Sequence, residues 1–109
     1  MARYRVKEYL LNGESPFKQW LGELDKSVRF RIQARIQRFE LGNLGKGRHF
    51  ASGLCEAILD FGPGYRLYYG LHGDTLVVLL CGGSKSGQQS DIARAKQYWE
   101  DYLQEKGHA

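Results

Sequence analysis

The sequence predicts an α+β fold with a single domain over residues 1–109, in which a small, mainly antiparallel sheet packs on a pair of N-terminal helices. Two observations predict it. Apolar residues recur at helical spacing in the first half of the chain, whereas from Leu54 onward they alternate or run continuously, as in strands. A chain of 109 residues is also long enough for only one modest core. We therefore expect the element order β-α-α-β-β-β-α.

The chain begins with a predicted edge strand. Tyr4 and Val6 alternate with Arg3, Arg5 and Lys7, so that one face is apolar and the other is cationic. Cations on a strand discourage unwanted pairing, which is typical of a sheet edge.

Two amphipathic helices are predicted next. Ser15 followed by Pro16 is a helix start signal, and Asp25 or Ser27 can cap a second helix that ends at Gly42. The apolar positions of the two helices are Phe17, Trp20, Leu21, Leu24, Val28, Ile32, Ile36 and Phe39. The second helix carries four arginines on its other faces, namely Arg29, Arg31, Arg35 and Arg38.

Residues 41–52 are expected to form a mobile basic loop without regular structure. This segment contains three glycines together with Lys46, Arg48 and His49. Loops of this composition often bind ligands.

Three strands are predicted near Leu54 to Phe61, Tyr65 to Leu71 and Thr75 to Cys81, with a type II turn over Gly62 to Tyr65. The third strand is apolar on both faces, so we expect it to be the central strand of the sheet, covered on each side. A last helix begins at Ser90 or Asp91 and carries an apolar face.

The cysteines and the apolar runs bear on the type of protein. Cys55 and Cys81 lie in apolar strands without metal-ligand spacing, and we expect buried free thiols. The run from Leu76 to Cys81 is too short to span a membrane, and the N-terminus is polar from Arg3 onward. We therefore expect a cytoplasmic protein with no membrane association.

Positive charge is concentrated in one part of the chain. Residues 26–48 carry seven positive and one negative side chains, although the whole chain has a net charge of only +4. Such a distribution is typical of a surface that meets a polyanion. The ordinary alternative is a solvated helix face.

Candidate catalytic residues surround the predicted turn. Alternation along the strand after the turn places Arg66 and Tyr68 on one face, where they could grip a phosphate. With Lys85 and His49 they supply the groups that cleave RNA through its own 2′-hydroxyl, a reaction that needs no metal. The alternatives are that Arg66 pairs with Asp60 or Glu56, that Tyr68 is a core residue, and that Lys85 and His49 are solvated.

Several stretches together resemble the RelE/ParE toxin superfamily, and within it the HigB-like group called addiction module killer proteins. They are Gly53-Leu54-Cys55-Glu56, Asp60-Phe61-Gly62-Pro63-Gly64-Tyr65-Arg66-Leu67-Tyr68-Tyr69, Leu79-Leu80-Cys81-Gly82-Gly83-Ser84-Lys85-Ser86-Gly87-Gln88, Asp91-Ile92 with Ala95, and Tyr98-Trp99. The resemblance covers nearly the whole chain, including Phe17, Trp20 and Leu21.

The resemblance implies the toxin of a type II toxin-antitoxin system, which inhibits translation by ribosome-dependent cutting of mRNA. It implies no metal or cofactor, a helix-turn-helix antitoxin as partner, and contact with DNA only through the antitoxin complex. The match carries over Arg66 as an arginine at the scissile phosphate and Lys85 as a basic residue beside it. Lys46, Arg48 and the four arginines of the second helix are the candidate RNA and ribosome contacts.

One departure from the family pattern supports an alternative function. The strand before the turn reads Glu56-Ala57-Ile58-Leu59, where the family usually has arginine at the position of Ile58. The alternative is a non-enzymatic binder, either a relative that poisons gyrase or an inactive partner that only forms a repressor complex with its antitoxin.

Overall fold

The computed structural model describes residues 3–107, and it has the predicted α+β class. A five-stranded sheet has the order β1-β5-β4-β3-β2, with two helices on one face and one on the other. The elements are β1 (Arg5–Glu8), α1 (Pro16–Gly22), α2 (Lys26–Glu40), β2 (Gly47–His49), β3 (Leu54–Leu59), β4 (Tyr65–His72), β5 (Leu76–Ser84) and α3 (Gln88–Gly107). None of the helices within residues 3–107 is long and apolar enough to cross a membrane.

The sheet is mainly antiparallel, as predicted, and β1 is its exception. β1 pairs in parallel with β5, with Val6 opposite Val77, and it forms one edge of the sheet. The predicted edge position of this strand is therefore confirmed. β5 has buried residues on both faces, as predicted. It is not the central strand that was predicted, because β1 pairs with its outer side and β4 lies in the middle of the sheet.

The expectation of an irregular loop over residues 41–52 was wrong. Gly47–His49 forms a short edge strand that pairs with β3, and Ala51–Gly53 forms a turn of 3₁₀ helix. Gly47 permits this pairing, because a side-chain Cβ there would lie only 2.1 Å from the carbonyl oxygen of Glu56. A strand of three residues is too short to produce a detectable alternation in the sequence.

The core has two parts, one on each face of the sheet. On the first face α1 and α2 contribute Phe17, Leu21, Ile32 and Phe39, which pack on the inward residues of the strands. On the second face α3 contributes Ala95, Trp99 and Tyr102. The Trp99 ring packs so closely on β4 that a Cβ at Gly70 would lie 2.2 Å from it.

The turn between β3 and β4 differs by one residue from the predicted type II turn. Its closing hydrogen bond runs from the Gly64 amide to the Phe61 carbonyl at 3.0 Å, and both Gly62 and Gly64 have positive φ. The Lys85 amide also donates to the Pro63 carbonyl at 3.4 Å. The turn is thereby joined to the end of β5, where the candidate site begins.

Candidate functional site

The register between β3 and β4 gathers the candidate residues on the face covered by α3. Glu56 lies opposite Tyr68, and Ile58 lies opposite Arg66. Directly opposed residues of antiparallel strands share a face, so these four side chains form one group. The predicted placement of Arg66 and Tyr68 on the same face is confirmed.

Glu56 is the centre of this group and is fully buried. Its Oε1 accepts a hydrogen bond of 2.8 Å from Arg48 Nε, and its Oε2 accepts one of 2.8 Å from Gln88 Nε2. Burial by itself would raise the pKa of Glu56, but the hydrogen bonds from Arg48 and Gln88 outweigh it and hold the pKa below its ordinary value. The residue is therefore a buried carboxylate that fixes its neighbours.

Arg66 has only 8% of its surface exposed. Its Nη1 donates to the carbonyls of Gly64 and Tyr65, at 3.1 and 3.3 Å, and its Nε lies 4.0 Å from Glu56 Oε2. The sequence offered Asp60 and Glu56 as ion-pair partners of Arg66, and in the structure the partner is Glu56. The Nε is buried and has no hydrogen-bond partner within residues 3–105.

Lys85 is exposed and stands close to Arg66 across the turn. A Cβ at Gly64 would lie 3.3 Å from Lys85 Cβ and 3.4 Å from Arg66 Nη1. The missing side chain at Gly64 thus leaves room beside the turn for both the Arg66 guanidinium and the stem of the Lys85 side chain. The structure brings together the two residues that the sequence assigned to the phosphate.

Tyr68 lies in the core beneath Glu56 instead of on an open surface. Its hydroxyl is buried, and no atom of residues 3–105 forms a hydrogen bond with it. Burial, followed by the charge of Glu56, raises the pKa of Tyr68. The alternative considered from the sequence, that Tyr68 is a core residue, therefore describes its position.

His49 lies on the opposite face of the sheet, away from Arg66. Its Nδ1 is 3.2 Å from the Sγ of Cys55, which belongs to the core formed with α1 and α2. Burial raises the pKa of the Cys55 thiol to about 11. Cys55 and Cys81 are both buried and free, as predicted.

Arg35 differs from the other arginines of α2 because it is buried. Its guanidinium donates to the carbonyls of Ile58, Leu44 and Lys46, at 2.9, 3.3 and 2.5 Å respectively. It therefore attaches the segment before β2 to the end of β3 and does not join an exposed basic surface.

The remaining basic candidates are more accessible. Arg29 donates to the Leu24 carbonyl at 2.7 Å, and the Arg31 guanidinium lies 3.8 Å from the centre of the Phe61 ring. Lys46 pairs with the exposed Asp60 at 2.8 Å. Arg38 is exposed, and Arg48 is half-exposed beside Glu56.

Sequence reasoning missed three residues at this site. Gln88 begins α3 and binds Glu56, and the Asp91 carboxylate accepts a 2.6 Å hydrogen bond from Arg94 one turn later. Asp91 packs so closely on Gly83 that no side chain fits there. The available signal for Gln88 was Glu56, a glutamate within the apolar run of β3. A carboxylate in such a buried position requires hydrogen-bond partners.

The arrangement is suited to binding an anion. Arg48, Arg66 and Lys85 supply three positive charges near the single negative charge of Glu56. Together these four side chains have a net charge of +2. The N-terminus of α3 lies beside it at Gln88 and adds a favourable dipole. Of the two cations beside the turn, Lys85 is exposed and Arg66 is mostly buried, so Lys85 is the more accessible to a phosphate.

Comparison with known proteins gives a relative for this chain. No family model matches it. An uncharacterized protein of Haemophilus influenzae is 42% identical to it over 81 residues, which covers 73% of this chain and 82% of that protein. The chain belongs to the same family as this Haemophilus influenzae protein.

Proposed function

We propose that this protein is the toxin of a type II toxin-antitoxin system, a member of the RelE/ParE superfamily and its HigB-like group, and that it is a ribosome-dependent mRNA endonuclease. The observation that carries the proposal is that the Arg66 guanidinium and the Lys85 side chain both lie beside Gly64. Two cations at one glycine-rich turn are suited to a phosphate in a single position. The fold class and the sequence resemblance support the same assignment.

The proposed reaction is an internal displacement on RNA. The 2′-hydroxyl gives its proton to water as its oxygen attacks the adjacent phosphorus and forms a 2′,3′-cyclic phosphate. The bond to the 5′-oxygen of the next nucleotide breaks, and that oxygen takes a proton from water. Arg66 and Lys85 stabilise the additional negative charge that develops on the phosphate oxygens. Tyr68 is buried and His49 lies on the other face, so the residues at this site provide the electrostatic part of catalysis.

Glu56 is assigned a positioning role in this proposal. It is fully buried and its oxygens already accept hydrogen bonds from Arg48 and Gln88, which makes it a poor proton acceptor for substrate. Its charge instead holds the Arg48 side chain by a hydrogen bond and attracts the Arg66 guanidinium on the same face of the sheet. The proposed partners are a helix-turn-helix antitoxin, the ribosome and mRNA, the setting is the cytoplasm, and DNA is contacted only through the antitoxin complex.

A second candidate function is a non-enzymatic binder, and Ile58 favours it. This aliphatic residue lies opposite Arg66 on the same face, where the family pattern has an arginine. Arg66 is itself mostly buried, which leaves Lys85 as the more accessible cation of the pair. Such a protein would poison gyrase or serve only as a corepressor with its antitoxin.

Controlled expression in bacteria separates these functions. Endonuclease activity predicts growth arrest with new 5′ ends in a reporter transcript, mapped by primer extension. Lys85→Ala should remove both effects, whereas Lys18→Ala, at an exposed position on α1, should retain them. Growth arrest with intact transcripts and a DNA damage response would instead indicate a gyrase poison, and toxicity acquired only by Ile58→Arg would indicate an inactive binder.

A further inference from the structure

A cleft on the α2 side of the sheet has features that the proposed cleavage site does not explain. It lies between α2 and the turn after β3 and has a volume of about 250 Å³. This is smaller than most sites for drug-sized ligands, and a single base or phosphate would fit it better. The side chains that matter for the argument are Phe30, Arg31, Arg38 and Phe61.

Phe30 is the most exposed large apolar side chain among the residues that the structure describes. It leaves 73% of its surface in solvent, although it stands on a helix whose other aromatic residue, Phe39, is fully buried. A single exposed phenylalanine costs little, but one at the rim of a basic cleft offers a flat apolar face to a ligand.

Arg31 and Phe61 form a second flat surface in the same cleft. The Arg31 guanidinium lies 3.8 Å from the centre of the Phe61 ring, and the Phe61 ring in turn packs against Tyr65 at 5.3 Å. This stacking holds the guanidinium in place while Arg31 stays exposed. Aromatic rings and arginine planes are the surfaces on which unpaired bases stack.

The charge of the cleft is positive. Within residues 3–105, neither Arg31 nor Arg38 forms an ion pair, whereas the acidic residue of the cleft, Asp60, is paired with Lys46 at 2.8 Å. Arg35 forms part of the floor, and burial followed by the charge of Arg38 lowers its pKa below the ordinary value. The cleft therefore attracts an anion.

We propose that this cleft binds an unpaired nucleotide of single-stranded RNA, with the base against Phe30 and the adjacent phosphates on Arg31 and Arg38. An aromatic face next to two free cations is complementary to a base with its phosphates. A base within a duplex could not reach Phe30, because both of its faces are already stacked. Binding here is separate from the proposed cleavage, since it uses neither Arg66 nor Lys85.

Fluorescence anisotropy with a labelled 12-nucleotide oligoadenylate RNA tests the stacking contact. Phe30→Ala and Phe30→Leu should each bind about 5- to 150-fold more weakly, which is the effect of losing one stacked base. Phe30→Trp should bind at least as tightly as the parent. Leu10→Ala is the matched control, because Leu10 is also exposed, at 56%, but lies after β1.

The salt dependence of the same binding tests the phosphate contacts. Arg31→Gln and Arg38→Gln should each reduce the slope of log K against log salt by about 0.7, whereas Arg5→Gln on β1 should not change it. The proposal is overturned if Phe30→Leu binds like the parent, or if the oligonucleotide annealed to its complement binds as tightly as the single strand. The assay contains no ribosomes, so its result is independent of whether the protein cleaves mRNA.

Discussion

Arg48 and Glu56 face each other across β2 and β3 and are joined by a hydrogen bond of 2.8 Å. The carboxylate is fully buried, while half of the Arg48 side chain stays in solvent. Because Gln88 binds the other oxygen of Glu56, one carboxylate connects the edge strand β2 with the start of α3. This interaction therefore supports both the end of the sheet and the candidate phosphate site.

Removal of the Glu56 carboxylate should destabilise the protein. Glu56→Ala would leave Arg48 and Gln88 without their common acceptor and the buried Arg66 without its nearby negative charge, and we expect a loss of about 3 to 5 kcal/mol in the free energy of unfolding. Urea denaturation followed by circular dichroism measures it. Glu105→Ala, at an exposed position on α3, should change the value by less than about 0.5 kcal/mol, and an equally small effect of Glu56→Ala would refute the role of this carboxylate.

The same residue should make stability depend on pH in the acidic range. Its pKa is lower in the folded state than in the unfolded state, so its stabilising contribution is complete above the unfolded value, about 4.5. That contribution is lost as the pH falls through the lower folded pKa. In thermal melts between pH 3 and 7, Glu56→Gln should therefore show a smaller decrease in Tm on acidification than the parent protein.

Gly64 should matter for both stability and activity. Its φ is +77°, and a Cβ would contact Lys85 and Arg66, so Gly64→Ala should cost about 1 to 2 kcal/mol and displace the cations. Gly73→Ala is the matched control, because Gly73 has a φ of +68° but no atom within 4 Å of the added carbon. We expect both variants to lose stability in denaturation and only Gly64→Ala to lose toxicity, and equal toxicity of the two would contradict the model of the site.

Two arginines of α2 should behave differently on substitution. Arg35→Gln would remove the buried guanidinium that donates to the carbonyls of Ile58, Leu44 and Lys46, and we expect a loss of at least about 2 kcal/mol in the free energy of unfolding. Arg38→Gln, at an exposed position three residues later, should remain within about 0.5 kcal/mol of the parent. A comparison of their urea midpoints checks this, and equal midpoints would show that Arg35 has no structural role.

The sequence predicts most of the fold because the long elements carry clear periodic patterns. The run from Leu76 to Cys81 correctly predicts a strand that is covered on both faces, and Phe17 and Leu21 predict the apolar face of α1. In contrast, β2 is a strand of three residues, and its pairing depends on the absence of a side chain at Gly47. The need for glycine at position 47 follows from the position of β3 beside β2, which the local sequence does not show.

The candidate site was less accessible to sequence reasoning. The importance of Glu56 depends on Gln88, which is distant in sequence and reaches it only after α3 has packed on the sheet. The burial of Arg35 had a signal, since it lies three residues after Ile32 and four before Phe39, on the apolar stripe of α2. Arg66 and Lys85 could be selected from the turn and its flanking residues.

The most direct test of the central proposal is mapping of the mRNA in ribosome complexes incubated with the purified protein. The proposal predicts a cut within the codon in the decoding site, with a 5′-hydroxyl on one fragment and a 2′,3′-cyclic phosphate on the other. Lys85→Ala should strongly reduce this cutting, and Lys18→Ala should retain it. Intact mRNA in complexes treated with a folded protein that arrests growth in cells would contradict the proposal.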